Sequence, residues 1–193
     1  MIRFGLVGCG RIAQRHAKVL SGDKVAGARL GAVCDIMPDK AYELASKFDV
    51  PAFMDMHEMM NREELDVAVV LTESGLHARH VMELAQYKKP IIVEKPMALS
   101  LDDADRMIEA TLANAIPLFV VKQNRYNVPI IRVRQALESG RFGRLGLGSV
   151  RVRWCRKKDY YDQAPWRGTW RLDGGVLSNQ ASHHIDLLQW MMG

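Results

Sequence analysis

Gly8-Cys9-Gly10-Arg11-Ile12-Ala13 stands between an apolar run, Ile2–Val7, and an amphipathic stretch, Arg11–Leu20. The spacing is G-x-G-x-x-A. In such a turn the first glycine permits a tight strand-to-helix bend. The second lets the backbone approach a pyrophosphate, and the alanine lets helix and strand pack closely. Arg11 and Ile12 open the helix, so their backbone N–H groups and the positive end of the helix dipole would face the phosphates. The motif carries weight because it follows a strand and opens a helix. Asp35 ends the second apolar run, 25 residues after Gly10. A carboxylate there accepts hydrogen bonds from the adenosine ribose hydroxyls and repels a 2′-phosphate. Ile36, Met37 and Pro38 follow it, with no arginine among them to receive such a phosphate. The pattern predicts a bound dinucleotide, and NAD rather than NADP.

Glu94-Lys95-Pro96 lies just past a later apolar strand. In an open α/β sheet, ligands bind beyond the carboxyl ends of the strands. The Lys95 ammonium therefore falls at the edge where the nicotinamide would reach. A cis bond to Pro96 would aim it sharply.

The elements that must position these groups alternate. Apolar runs at Ile2–Val7, Leu30–Asp35, Asp66–Leu71, Pro90–Val93 and Pro117–Val121 read as strands. Helical periodicity covers Arg11–Leu20, Pro38–Phe48, His77–Gln86 and Leu101–Ala113, the last capped by Ser100 with Asp103 at its third position. The near-continuous apolar strands and repeated strand–helix units imply a parallel, doubly wound sheet with right-handed crossovers. The fold class is thus α/β, with a Rossmann-type domain over residues 1–122. The pattern changes over 123–193: a helix at Val128–Leu137, a half-exposed strand at Gly148–Cys155, an irregular aromatic stretch, and an apolar helix at Val176–Met192. This second part reads as the beginning of an α+β domain whose open antiparallel sheet is incomplete.

Charge divides at the same place. Residues 1–121 hold 14 Lys+Arg against 17 Asp+Glu, whereas residues 122–193 hold 13 against 5. The second half is either a solvated basic face or a surface for an anionic ligand. It lacks a recognisable nucleic-acid module and interleaved stacking aromatics, so nucleic acid is not expected as a partner. The three cysteines, Cys9, Cys34 and Cys155, are odd in number and widely spaced, which reads as reduced thiols rather than a disulfide framework. No apolar run approaches the ~18 residues of a membrane span, and no leader pattern precedes the first strand. The expectation is a cytoplasmic protein without a membrane partner.

Three motifs, in order, carry a resemblance. Gly8/Gly10/Ala13, Glu94-Lys95-Pro96, and the stretch from Gly174 to Asp186 (Gly174-Gly175-Val176-Leu177-Ser178-Asn179-Gln180-Ala181-Ser182-His183-His184-Ile185-Asp186) resemble the Gfo/Idh/MocA oxidoreductases. The resemblance implies that Lys95 and His183 are the catalytic pair, and that Asn179 falls where many members carry aspartate. It also implies cofactor contacts from Thr72, His77, Glu94, Gln123 and the Trp166-Arg167 pair. Elementary chemistry agrees. Oxidising an alcohol needs a base for the hydroxyl proton while hydride leaves, and histidine, with an ordinary pKa near ~6.5, suits that task. Asn179 and His183 are four residues apart on a helix and so share one face, and with Lys95 they are the expected substrate-binding residues. Lys95 would orient the hydroxyl and stabilise developing alkoxide charge. His184 points about 100° away round the helix and reads as structural. Adjacent histidines chelate poorly and no third ligand is in register, so no metal is expected.

Within that family, Trp166-Arg167-Gly168-Thr169-Trp170 with Asn179–Asp186 looks most like the nucleotide-sugar 3-dehydrogenases. These oxidise C3 of a UDP-linked N-acetylated uronic acid on the way to surface polysaccharide. The basic second half suits such an anionic sugar, since arginine binds carboxylate and phosphate in bidentate fashion. Tyr160, Tyr161 and Arg156–Lys158 are further substrate-side candidates. The alternatives are a dehydrogenase of inositol or a free sugar, or a non-catalytic dinucleotide-binding module. Family members continue past the His183 helix into a large open sheet that roofs the active site and forms a homo-oligomer. Only its first strand, about Gly146–Arg156, is expected here, so the chain reads as C-terminally truncated. The catalytic competence of the short chain by itself is accordingly left open.

Overall fold

The computed structural model describes residues 1–22 and 24–193. It divides into two units, Met1–Val120 and Val121–Gly193.

In the first unit the chain runs β1 (Ile2–Val7), α1 (Arg11–Leu20), β2 (Ala28–Cys34), α2 (Pro38–Phe48), β3 (Ala52–Phe53), α3 (Met56–Arg62), β4 (Val67–Val70), α4 (His77–Ala85), β5 (Ile91–Val93), α5 (Leu101–Ala113) and β6 (Leu118–Val120). The strands form one sheet in the order β3-β2-β1-β4-β5-β6, every neighbouring pair parallel. The order reverses between β1 and β4, which opens a crevice at their carboxyl ends.

Residue alternation builds the layers. Successive side chains of a strand point to opposite faces. Leu6, Val33 and Val69 therefore enter one apolar cluster with Ala13, Ala17, Leu20 and Leu44 of α1 and α2. Val7, Cys34 and Val70 enter the other, with Met59, Val81, Leu84 and Met107 of α3, α4 and α5. A sheet covered on both faces needs apolar residues at every position, which is why these strands read as unbroken apolar runs. Helix starts are set locally. Asp55 accepts the Glu58 N–H at 2.8 Å, and Ser100 accepts the Asp103 N–H at 3.1 Å. The Asp103 carboxylate takes the Ser100 hydroxyl at 2.9 Å, closing the cap through the side chain. The two-residue β3 and short α3 were not anticipated; each is too brief for a periodic signal.

The second unit holds a single helical turn (Gln123–Tyr126), α6 (Val128–Glu138), α7 (Lys158–Tyr161), and a helical run whose Leu177–Ala181 segment is a π-turn before α8 (Ser182–Met192). Two expectations are corrected here. Residues 145–157 carry no regular secondary structure, so the predicted strand at Gly148–Cys155 is not formed. A strand is held by ladder hydrogen bonds to a neighbour, and alternating side chains do not supply one. Val150, Val152 and Trp154 remain exposed. The predicted uniform helix at Val176–Met192 is instead widened at the π-turn that carries Asn179.

Candidate functional site

The glycine turn is built by sterics. Gly8 has φ of +99°, and a Cβ there would stand 2.9 Å from the Leu71 carbonyl carbon and 3.0 Å from Thr72 N. The turn is thus pressed against the end of β4, and only glycine fits. Its own N–H donates to Cys34 O at 2.7 Å. Gly10 differs: a Cβ there would meet nothing within 4 Å. Protein packing does not require this second glycine. Gly10 is also the N-cap of α1 and offers no side-chain cap to the first turn of the helix. An open approach, N–H groups without a side-chain cap and a dipole end are what a pyrophosphate requires. The residues present fit a dinucleotide. Ala13, fully buried, lets α1 lie close to the sheet.

Asp35 stands at the end of β2. Its Oδ2 accepts the Cys9 N–H at 2.8 Å and its Oδ1 accepts the Met37 N–H at 2.9 Å. The carboxylate therefore also fixes the glycine turn, a role its sequence position did not suggest. Each oxygen retains acceptor capacity toward ribose hydroxyls. The following Ile36 is 84% exposed, so the place after Asp35 carries no cation.

The loops after β4 and β5 are organised by three histidines. His16 of α1 brings Nε2 to 3.0 Å from Oε1 of Glu94, which is 7% exposed. The other oxygen, Oε2, takes the Lys95 N–H at 3.0 Å. Burial raises the Glu94 pKa, but the His16 hydrogen bond, the Lys95 N–H and the charges of both outweigh it, so the carboxyl sits below its usual range. Glu94 is thus a carboxylate engaged on both oxygens. His77, 1% exposed, places Nδ1 2.7 Å from Pro96 O and Nε2 3.0 Å from Thr72 O. His80 Nδ1 meets the Thr72 hydroxyl at 2.9 Å. Lys95 is the second residue after β5 and is half-buried, and its peptide bond to Pro96 is cis. His16 and His80 were not singled out from sequence. Neither forms a motif, and their partners are far away along the chain.

The second unit holds the remaining candidates. His183 is 8% exposed, and the Gln123 amide nitrogen lies 3.3 Å from its Nε2. Where the amide donates, the one basic lone pair of a neutral imidazole, at Nε2, is taken by Gln123. One turn on, the buried Asp186 accepts both Arg125 Nε at 2.8 Å and Arg125 Nη2 at 2.6 Å, with Lys122 Nζ at 3.9 Å. Arg125 also stacks over Trp190 at 5.1 Å. These contacts tie the Gln123–Tyr126 turn to α8 and set the orientation of His183. The buried Asn179 donates its amide to Asp173, which is 4% exposed and whose Oδ2 takes the Gly168 N–H at 2.8 Å. Asp173 thereby links Asn179 to the Trp166-Arg167 turn; its position just outside the recognised motif concealed it. Arg167 stacks on the Tyr160 ring at 4.5 Å and on Trp166 at 4.8 Å, and donates to the Tyr160 hydroxyl at 2.6 Å. Gln180 donates to the same hydroxyl at 2.9 Å. His184 makes an edge contact with Trp154 at 5.2 Å.

Among the described residues no three His, Cys, Asp or Glu side chains cluster as metal ligands. Among the described residues no helix is long and apolar enough to cross a membrane.

Comparison with known proteins places these observations. Residues 2–120 match the GFO_IDH_MocA model, an oxidoreductase family with an NAD-binding Rossmann fold. Residues 130–193 match the GFO/IDH/MocA C-terminal domain. Among solved structures the chain is similar to the WlbA dehydrogenase from Bordetella pertussis in complex with NADH and UDP-GlcNAcA, at 42% identity and TM-score 0.94, covering 100% of this chain and 58% of that one. The WlbA dehydrogenase from Chromobacterium violaceum, also with NADH and UDP-GlcNAcA, gives 40% and 0.94, covering 100% and 55%. Among curated relatives, myo-inositol 2-dehydrogenase of Thermotoga maritima is 30% identical over 194 residues, covering 100% of this chain and 55% of the relative. The chain spans about half the length of the curated relatives it matches.

Proposed function

Since the chain belongs to the Gfo/Idh/MocA oxidoreductase family, we propose that it oxidises a sugar hydroxyl with NAD, the substrate being C3 of a UDP-linked N-acetylated uronic acid. One observation carries the choice of sugar. Identity to the two WlbA dehydrogenases is 40–42% over the whole chain, against 26–30% to the inositol dehydrogenases. The basic second half, 13 Lys+Arg against 5 Asp+Glu, suits a substrate with a diphosphate and a carboxylate.

NAD is the cofactor of the first domain, residues 1–122 in our division, and when bound it supplies the hydride acceptor. The N–H groups at the start of α1, beside Gly8 and Gly10, hold the pyrophosphate, and Asp35 accepts the ribose hydroxyls. Thr72 and Glu94 of the first unit, and Gln123, Trp166 and Arg167 of the second, would supply further cofactor contacts in this reading. His183, in the second unit, takes the hydroxyl proton at Nε2 as hydride departs, the hydroxyl replacing the Gln123 amide there. Lys95, in the first unit, is the other member of the catalytic pair in this reading, and its ammonium stabilises alkoxide charge as it develops. Asn179, held by Asp173, orients the sugar. The reaction is cytoplasmic in this reading, consistent with free Cys9, Cys34 and Cys155, and the protein works as a homo-oligomer.

A second reading keeps the chemistry and exchanges the substrate for an inositol; the 30%-identical myo-inositol 2-dehydrogenase favours it. NADH formation by the whole protein with UDP-N-acetylglucosaminuronate, against myo-inositol, decides between them. Turnover of the nucleotide sugar is expected. Turnover of the inositol alone, or of neither, overturns the proposal.

A further inference from the structure

The β4–β5 ladder ends where the candidate chemistry begins. Glu94 N donates to Val70 O at 3.0 Å, the last ladder bond before the two chains part. Beyond it, the loop through Thr72 and the loop through Lys95 and Pro96 present backbone carbonyls. Two carbonyl oxygens are both acceptors and cannot bond each other, so each needs a donor from elsewhere.

His77 stands there. It is the first residue of α4 and its ring is 1% exposed. Nδ1 lies 2.7 Å from Pro96 O and Nε2 lies 3.0 Å from Thr72 O. We propose that His77 positions Lys95, its Nδ1–H holding the Pro96 carbonyl, one residue past the lysine, against α4. The proposal rests on the catalytic reading of Lys95 given above.

The arrangement supports this in three ways. A neutral imidazole carries one N–H, and the shorter contact, to Pro96, is the one it makes. Burial pushes the His77 pKa down, against the opposing pull of the two carbonyls and Glu94, so the ring is neutral at pH 7. The Thr72 loop is tied to the same helix separately, because the Thr72 hydroxyl is bonded to His80 three residues along it. A ring this buried, with both nitrogens against backbone, is committed to the protein rather than to the cofactor contact that the family resemblance suggested. Loop placement matters because a misplacement of about 1 Å at a reacting group costs on the order of a hundredfold in rate.

The test compares His77→Leu, which keeps bulk and removes the donor, with His77→Asn, whose amide can still donate to Pro96 O. Both are made in the whole protein beside Lys95→Met. For His77→Leu, kcat should fall roughly a hundredfold while NADH affinity stays within about threefold. His77→Asn should recover at least about a tenth of the wild-type kcat. A folded His77→Leu with unchanged kcat overturns the proposal. So does NADH affinity that falls in step with kcat, which would make His77 a cofactor ligand. If His77→Leu does not fold, long-range 1H–15N correlation of the imidazole in the unsubstituted chain decides. A protonated Nδ1 is expected, and a bare Nδ1 overturns the proposal. Full turnover by Lys95→Met would instead remove the catalytic reading of Lys95, and the imidazole spectrum would still report the His77 bond.

Discussion

His16 Nε2 lies 3.0 Å from Oε1 of Glu94, and the opposite oxygen of that carboxylate holds the Lys95 N–H at 3.0 Å. A helix that begins at the glycine turn thus reaches, through one buried carboxylate, the backbone of the candidate catalytic lysine. The two residues are 78 positions apart.

Removing His16 leaves Glu94 buried with one oxygen unsupported. A lost hydrogen bond to a buried charged group costs about 1–3 kcal/mol. His16→Ala should lower stability by about that amount, read as a shift in the urea midpoint at constant slope. It should also raise the Glu94 pKa, since His16 is the largest of the groups that lower it. An unchanged midpoint would show that the pair carries no stability.

Acid should weaken the first domain in two stages. Burial lowers the pKa of both His77 and His80, so each ring is neutral when folded. The unfolded chain binds those protons first as pH falls below about 6.5, so the stabilising contribution is full above that pH and is lost below it. Glu94 is also lowered; its contribution is full above about pH 4.3 and is lost as pH falls through its folded value. Thermal midpoints between pH 7 and 5 should therefore decline, and His80→Gln should flatten that decline. An identical slope in the variant would exclude His80 as a contributor.

The thiols should divide by burial. Burial, then the charge of Asp35, pushes the Cys9 thiol up to about 12. Burial, then Asp55 and Asp35, does the same for Cys34, to about 12. Both remain protonated and inert at pH 8, because the thiolate is the nucleophile. Cys155 is exposed. An aromatic disulfide reagent at pH 8 should modify Cys155 at once, and reach Cys9 and Cys34 only after denaturant is added. Mass spectrometry of the partly modified chain would expose any other order.

The two turn glycines should fail differently. Gly8→Ala places a Cβ 2.9 Å from the Leu71 backbone at φ of +99°, a strain of about 1–3 kcal/mol. Folding and NADH binding should both suffer. Gly10→Ala meets no protein atom within 4 Å, so its thermal midpoint should stay near that of the parent while NADH affinity falls at least about tenfold. Retained affinity in Gly10→Ala would show that the open space over Gly10 is not used by the cofactor.

Much of this molecule was legible along the chain. A strand buried on both faces must be apolar at every position, so β1, β2 and β4 were visible as runs. The turn after β1 was visible because few sequences place glycines so near a helix start without a ligand to admit. The cap at Ser100 is a contact three residues long. Each of these depends on neighbours in sequence, and short-range geometry is the same wherever the segment lies.

The rest depended on pairing between segments. Glu94 was marked by its tripeptide, but its partner His16 stands 78 residues earlier on α1, and only packing brings the two to 3.0 Å. The family resemblance implied a cofactor contact for His77, and only the folded chain shows its ring against two backbone carbonyls. Asp173 gained its role from the π-turn that carries Asn179, a local widening that helical periodicity cannot foresee. Residues 148–155 show the opposite case: their two-residue alternation was read correctly as a pattern, yet no ladder formed, because hydrogen bonds to a neighbour make a strand. Local spacing determined which residues could do chemistry. The packing of helices on the sheet decided which partners hold them, since only packing brings distant polar atoms to within 3 Å.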